Sequence, residues 1–151
     1  MNVVEVFLSI DGEGIRAGEL ATFIRLAGCN LRCSYCDTKY AQNMADGEEM
    51  SALAIIDRVE EFGCNNVTLT GGEPLLNKDG FILAHALAER GYSVNIETNG
   101  SIDISDLLDE PNVIVTMDYK CPSSGCEKNM LLSNFEKLRE QDVLKFVIEE
   151  S

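Results

Sequence analysis

The chain has 151 residues, 45% of them hydrophobic and 25% charged, with a formal net charge of −14. That length suits one domain with its own core, and the composition excludes disordered and fibrous classes. The acidity argues against direct binding to nucleic-acid phosphates, and a small-molecule substrate is easier to reconcile with it.

In chain order, Val3 to Ser9 and Thr22 to Ala27 read as strands. Met50 to Phe62 carries Leu53, Ile56, Val59 and Phe62 at a helical spacing, with Ser51 as N-cap. Val67 to Thr70 is a strand. Asp79 to Arg90 is a helix ended by Gly91, and Tyr92 to Glu97 is a strand stopped by Asn99-Gly100. Ile104 to Leu108 gives a helical turn, Val113 to Met117 a strand, Ser133 to Gln141 a helix and Val143 to Ile148 a last strand. Strands alternating with helices imply an α/β fold with a mostly parallel, curved sheet, a partial (β/α) barrel in a single domain, 1–151. Sites in such folds gather at the C-terminal strand ends. The unusual segments lie there: Gly28 to Thr38, Gly71 to Pro74, Thr98 to Gly100 and Tyr119 to Pro122.

No apolar run approaches the roughly eighteen residues that span a bilayer. Met1 to Leu8 lacks the basic start of a signal peptide. The expected location is the cytoplasm, away from any membrane. Six cysteines there point to metal or redox chemistry rather than disulfides. Cys29, Cys33 and Cys36 form C-x3-C-x2-C, which can aim three thiolates at one 4Fe–4S cubane. Fe–S carriers ordinarily use four cysteines. Three leave one iron open to a chelate, for which the amino and carboxylate groups of S-adenosylmethionine are suited. A zinc site would want a fourth ligand, and His85, the only histidine, reads as a surface or packed residue. Cys64 reads as packed, and Cys121 and Cys126 as free thiols.

The loop, with Tyr35 as the aromatic before the third cysteine, resembles the motif of the radical S-adenosylmethionine superfamily. Gly71-Gly72-Glu73-Pro74 is similar to that superfamily's methionine-binding loop. Ser9 to Gly14 (S-I-D-G-E-G), the F-I-R-L-A-G-C run, Cys36-Asp37-Thr38 and M-D-Y-K-C-P-S-S-G together resemble the 7-carboxy-7-deazaguanine synthase family. The resemblance implies a lyase of queuosine (deazapurine) biosynthesis. It would convert 6-carboxy-5,6,7,8-tetrahydropterin to 7-carboxy-7-deazaguanine with loss of ammonia, using the cluster, S-adenosylmethionine and Mg²⁺. It implies flavodoxin or ferredoxin as reductant. It also implies a 5′-deoxyadenosyl radical that removes hydrogen from C6 of the pterin.

Residue by residue, the resemblance implies Thr38 as Mg²⁺ ligand, with a turn cap as the alternative. Arg25 would grip the substrate carboxylate, or form a surface ion pair. Ile10, Asp11, Gly12 and Thr70 would contact substrate. Glu97 would act on the pterin ring, or be an exposed turn acid. The Tyr35 segment would meet the adenine, or simply pack the loop. Gly72, Asp118, Tyr119 and Lys120 would contact S-adenosylmethionine. The family commonly has Gln where this chain has Asp11, and ionised Asp only accepts hydrogen bonds. The family also continues past Glu149-Glu150-Ser151. Either the chain is truncated, which is the favoured reading, or a partner subunit completes the site; with the last strand or strands of the family missing, the open edge would invite pairing with another chain, a homodimer being one such pairing. Competing readings are a glycyl-radical activating enzyme, a peptide-modifying radical enzyme and an Fe–S electron carrier.

Overall fold

The computed structural model describes residues 1–148; Glu149-Glu150-Ser151, on which the expectation of truncation rested, lie outside the described residues. Among the described residues, seven strands form one open sheet: β1 (Asn2–Ile10), β2 (Leu20–Leu26), β3 (Glu48–Glu49), β4 (Asn66–Gly71), β5 (Ser93–Thr98), β6 (Val113–Tyr119) and β7 (Val143–Phe146). Their order is β3-β1-β2-β4-β5-β6-β7. From β2 through β7 every pairing is parallel. β1 runs antiparallel to both β2 and β3, so the sheet is mixed, mostly parallel and not closed.

Two helices, α1 (Ala52–Phe62) and α2 (Lys78–Glu89), supply the β2–β4 and β4–β5 crossovers. Ser51 caps α1 as expected, its Oγ accepting from Ala54 N at 3.2 Å. Gly91 follows α2 at φ +85°, a conformation that glycine adopts without steric cost. The face expected for α1 shifts. Ile55, Ile56 and Val59 are buried, while Leu53 and Phe62 are exposed. Three-residue spacing drifts around a helix of 3.6 residues per turn, and the sheet covers only the middle of that stripe.

The helix expected over Ser133 to Gln141 does not form. A 3-10 turn covers Leu132–Lys137, and Leu138 turns extended with ψ 132°. The competing demand is visible in Arg139. Its guanidinium donates to the carbonyls of Leu108, Glu110 and Val113 and to Asp142, whose Oδ1 accepts from Val115 N. The guanidinium gives the Leu108 carbonyl a donor and adds a second one to those of Glu110 and Val113, which already accept from Val113 N and Gln141 Nε2, and this set of bonds outweighs helix propensity here. The β5–β6 and β6–β7 crossovers consequently contain only short 3-10 turns.

Alternation along the strands separates two faces. Ile24, Leu69, Val94, Ile96, Val113 and Val115 face α1 and α2 in the core. Fully burying an aliphatic side chain of this kind stabilises by about 1.5–3 kcal/mol. The intervening residues, Arg25, Thr70, Glu97, Thr116 and Asp118 among them, line a cavity on the other face. A parallel sheet usually reads apolar on both faces. A polar second face in four successive parallel strands is the signature of a ligand site.

Candidate functional site

The cavity measures about 640 Å³, within the usual range for small-molecule sites. All four loops expected at the C-terminal strand ends contribute to its wall. The expected single rim is incomplete, however. The floor comes from the β1–β2 turn at the opposite end of the parallel strands. There Asp11 is buried, its Oδ2 accepting from Thr68 Oγ1 on β4 at 3.0 Å. Arg16 reaches Ser93 O on β5 at 3.0 Å. Gly14 sits over Thr116 of β6 and Val143 of β7 at φ +71°.

Cys29, Cys33 and Cys36 all line the cavity and are partly buried free thiols. The loop that carries them is held by backbone. Gly28 N donates to Ala41 O at 2.8 Å, and Cys29 N to Gln42 O at 3.0 Å. Ser34 N and Oγ donate to Ser124 O and Ser123 O at 3.0 and 2.6 Å, so the segment Cys121 to Cys126 straps the loop from outside. Burial pushes the Cys29 thiol up. Burial also pushes Cys33 up to about 11, and the neighbouring Cys126 thiol adds to it. Cys126 is buried against the loop and Cys64 donates to Leu20 O, consistent with both being structural thiols. Among the described residues no three His, Cys, Asp or Glu side chains converge on a single-ion site. A cubane does not ask for that, because each thiolate takes its own iron.

The Gly71-Gly72 pair has a structural use. A Cβ on Gly72 would lie 2.3 Å from Gly28 O, and one on Gly71 would lie 2.2 Å from Leu26 O. Only glycines let these two backbones close together, with Glu73 N donating to Gly28 O at 2.8 Å. Pro74 lies in the turn ahead of α2 rather than in its first helical turn.

Glu73, which the sequence reading passed over, is buried beneath this junction. Its Oε1 accepts from Leu75 N and Thr98 Oγ1 at 3.0 and 2.8 Å, and its Oε2 from Asn99 N at 2.7 Å. Burial pushes its carboxyl up, against these three bonds. Asn99 in turn donates to Asn30 Oδ1 at 3.0 Å and to Cys29 Sγ at 3.8 Å.

Arg25 lines the cavity, and its Nε donates to Glu5 Oε1 on the neighbouring strand at 2.7 Å. It is thus both an ion pair and a cavity residue, its guanidinium 5.8 Å from the Tyr40 ring centroid. Glu97 is not an exposed turn acid. Burial raises its pKa, the Thr70 hydrogen bond opposes that rise, and Glu13 and Asp11 add to it. Thr38 lines the cavity with Oγ1 donating to Asp37 Oδ1 at 2.7 Å, and it makes no side-chain cap to the following turn.

Asp118 and Lys120 face the cavity and pair at 2.9 Å. Tyr119, between them, is the exception. Alternation turns its ring outward against Phe135 and Phe146, with its hydroxyl on Glu127, so only its backbone is left to meet a cofactor. Ile10 and Gly12 border the floor, with Ile10 largely exposed. The Tyr35 hydroxyl and Asp118 Oδ1 are buried without a hydrogen-bond partner. Two orphaned polar atoms among cavity-lining residues fit a ligand with its own donors and acceptors. Together with three available thiols, they suit a cluster and a polar cofactor.

Residues missed in the sequence are Glu13, Thr68, Asn95, Thr116 and Lys145, besides Glu73. The signal for most of them was available in polar residues alternating with apolar ones along strands of a parallel sheet. His85 is no ligand here. It bridges Glu110 and Asp106 at 2.8 and 3.1 Å on the outer surface. Among the described residues no helix is long and apolar enough to cross a membrane.

Comparison with known proteins gives the family. Residues 23–141 match the Radical SAM superfamily. A 7-carboxy-7-deazaguanine synthase of Clostridium acetobutylicum is 49% identical over 97% of this chain and 67% of its own length. The synthase of Thermoplasma acidophilum is 39% identical over 99% of this chain and 71% of its own. The crystal structure of QueE from Escherichia coli superposes with a TM-score of 0.77 at 27% identity, covering 99% of this chain and 72% of that one. This chain therefore spans about two thirds of those relatives' length. A 4Fe–4S cluster and S-adenosylmethionine are the cofactors of this group. The chain belongs to the radical S-adenosylmethionine superfamily and, within it, to the 7-carboxy-7-deazaguanine synthase family.

Proposed function

We propose that this chain catalyses the ring contraction of 6-carboxy-5,6,7,8-tetrahydropterin to 7-carboxy-7-deazaguanine, with loss of ammonia, in queuosine biosynthesis. The observation that carries this reading is that a single cavity joins the three thiols to a cation, Arg25, and to two carboxylates, Asp11, which is buried, and Glu97, which is half-buried. Cys29, Cys33 and Cys36 hold the cluster. Gly72, Tyr35, Asp118, Lys120 and the Tyr119 backbone hold S-adenosylmethionine. When bound, these groups supply the one-electron chemistry that removes a hydrogen atom from the substrate.

The chain's own residues do the rest. Arg25 spends Nε on Glu5, which leaves its two terminal nitrogens for the substrate carboxylate. Asp11 and Glu97 accept from the ring N–H groups of the pterin. Burial raises the Glu97 pKa, which makes its carboxylate a stronger base toward the ring N–H groups. Thr70, beside Glu97 across β4 and β5, contacts the substrate. Thr38, beside Asp37, would hold Mg²⁺ through its hydroxyl, and the ion would supply positive charge for substrate oxygens. The floor turn and the wall loops exclude bulk water. Flavodoxin or ferredoxin supplies the electron, and the enzyme works in the cytoplasm. An electron carrier would have no use for a cavity of this size, and a glycyl-radical activating enzyme would have none for a carboxylate-gripping arginine.

The test is anaerobic reconstitution with iron and sulfide, then incubation with S-adenosylmethionine, reductant, Mg²⁺ and the carboxytetrahydropterin. 7-Carboxy-7-deazaguanine and ammonia are expected in equal amounts, with less than one 5′-deoxyadenosine per product, because loss of ammonia is redox-neutral and the abstracted hydrogen atom is returned. 5′-Deoxyadenosine without the deazaguanine would refute the substrate assignment and keep the superfamily.

A further inference from the structure

The β1–β2 turn that floors the cavity and the strand ends that face the cofactor come from distant parts of the sequence. One side chain reaches both. Lys145, on β7, donates from Nζ to Glu13 Oε1 and Oε2 at 2.9 and 3.0 Å, and lies 3.4 Å from Asp118 Oδ2. Asp118 Oδ2 also takes Lys120 at 2.9 Å. Lys145 itself lines the cavity.

We propose that Lys145 is a positioning residue that clamps the substrate floor, through Glu13, to the cofactor-facing strand end, through Asp118. Three features make the clamp specific. The turn packs on β7, where a Cβ on Gly14 would lie 3.8 Å from Val143 Cγ2, so Glu13 is delivered to Lys145 by a close fit rather than by a long reach. Both oxygens of Glu13 are engaged, which fixes the plane of its carboxylate. Asp118 Oδ2 is shared between two lysines, which leaves the buried Oδ1 for a ligand.

The clamp also sets charge. Burial alone would lower the Lys145 pKa, and Glu13, Asp118 and Glu97 outweigh it, so the amine stays protonated. Asp11, Glu13, Glu97 and Asp118 would otherwise place a block of negative charge around a cavity meant for a carboxylated substrate. Lys145 offsets part of it beside the floor.

This inference rests on the proposed substrate only in its kinetic arm. The experiment compares Lys145→Met, Lys145→Arg and Glu13→Gln with the parent chain, each reconstituted and bound to S-adenosylmethionine. Hydrogen exchange is read on the peptide spanning residues 11–19, with the α2 peptide 81–88 as internal control. Exchange in 11–19 is expected to rise about tenfold in Lys145→Met and Glu13→Gln, with 81–88 unchanged. Lys145→Arg should return it to within about threefold of the parent, because a guanidinium can bridge the same two carboxylates. In turnover, KM for the carboxytetrahydropterin should rise about tenfold in Lys145→Met while kcat changes less, and Lys145→Arg should reverse it. Parent-like exchange in Lys145→Met, or an arginine variant no better than methionine, overturns the clamp. If Lys145→Met exchanges fast throughout, Glu13→Gln decides, because it breaks the same contact from the partly exposed side. A parent chain that makes no deazaguanine refutes the substrate reading, and the exchange result then judges Lys145 alone.

Discussion

Glu73→Gln probes how the cofactor loops are held together. The substitution keeps the volume and one carbonyl oxygen, which can still accept from Leu75 N and Thr98 Oγ1. It places an NH₂ against Asn99 N, donor facing donor. One charge-assisted hydrogen bond is lost and a buried N–H is left unsatisfied, a cost of about 3 kcal/mol. Removing a charge that burial already disfavours returns about 1 kcal/mol, so the net destabilisation is about 2 kcal/mol. For a domain of this size that lowers the melting midpoint by about 4–8 °C. The assay is thermal unfolding of the reduced, metal-free chain by far-UV circular dichroism, paired with iron content after reconstitution. Asn99 also donates toward Cys29 Sγ, so iron retention should fall together with the midpoint. A midpoint within about 1 °C of the parent would refute the idea that this carboxylate ties the Gly71–Pro74 loop to the end of β5.

Cys33→Ala should abolish iron retention and 5′-deoxyadenosine formation, whereas Cys64→Ala should keep both; comparable iron loss in the two would displace the ligand assignment. Thr38→Ala should blunt the response of turnover to added Mg²⁺ while cluster absorbance is unchanged, and an identical Mg²⁺ titration would remove Thr38 from the metal. At His85, burial alone would lower the pKa, but hydrogen bonds to Asp106 and Glu110 raise it above 6.5. A raised folded-state pKa stabilises fully below the unfolded value and is lost as pH rises through the folded one. The midpoint gap between the parent and His85→Leu should therefore be widest near pH 6 and shrink toward pH 9, and a gap that widens with pH would contradict the pairing.

The cofactor half of the site was legible because it is local. Cys29 to Thr38 and Gly71 to Pro74 are contiguous segments whose spacing states their chemistry, and each follows a strand that alternation reveals. The substrate half was harder. Asp11 could be placed only by resemblance, and nothing near it in sequence says that it will lie against Thr68. Lys145 looked like an ordinary residue of a terminal strand, because its meaning depends on Glu13, 132 residues away. Ser133 to Gln141 carried a helical pattern that Arg139 overrode by satisfying carbonyls from three other positions. Leu53 and Phe62 fitted a helical face by count, and only the width of the sheet decides which residues of that face it covers. Asp11 in place of the family's glutamine keeps an acceptor toward Thr68 and gives up a donor toward the substrate.

The floor turn also sets an order of events in folding. It is made early in the chain, but its contacts lie on β4, β5, β6 and finally β7. During synthesis, the strand-and-helix units from β2 through β5 can pair with near neighbours as they emerge. The Glu13–Lys145 contact must wait until residue 145 is available, and closing so long a loop costs entropy before any contact rewards it. The strands that carry the cysteine loop and the Gly71-Gly72 loop, β2 and β4, precede that closure in the chain, so the floor is the part of the cavity whose contacts span the longest stretch of sequence.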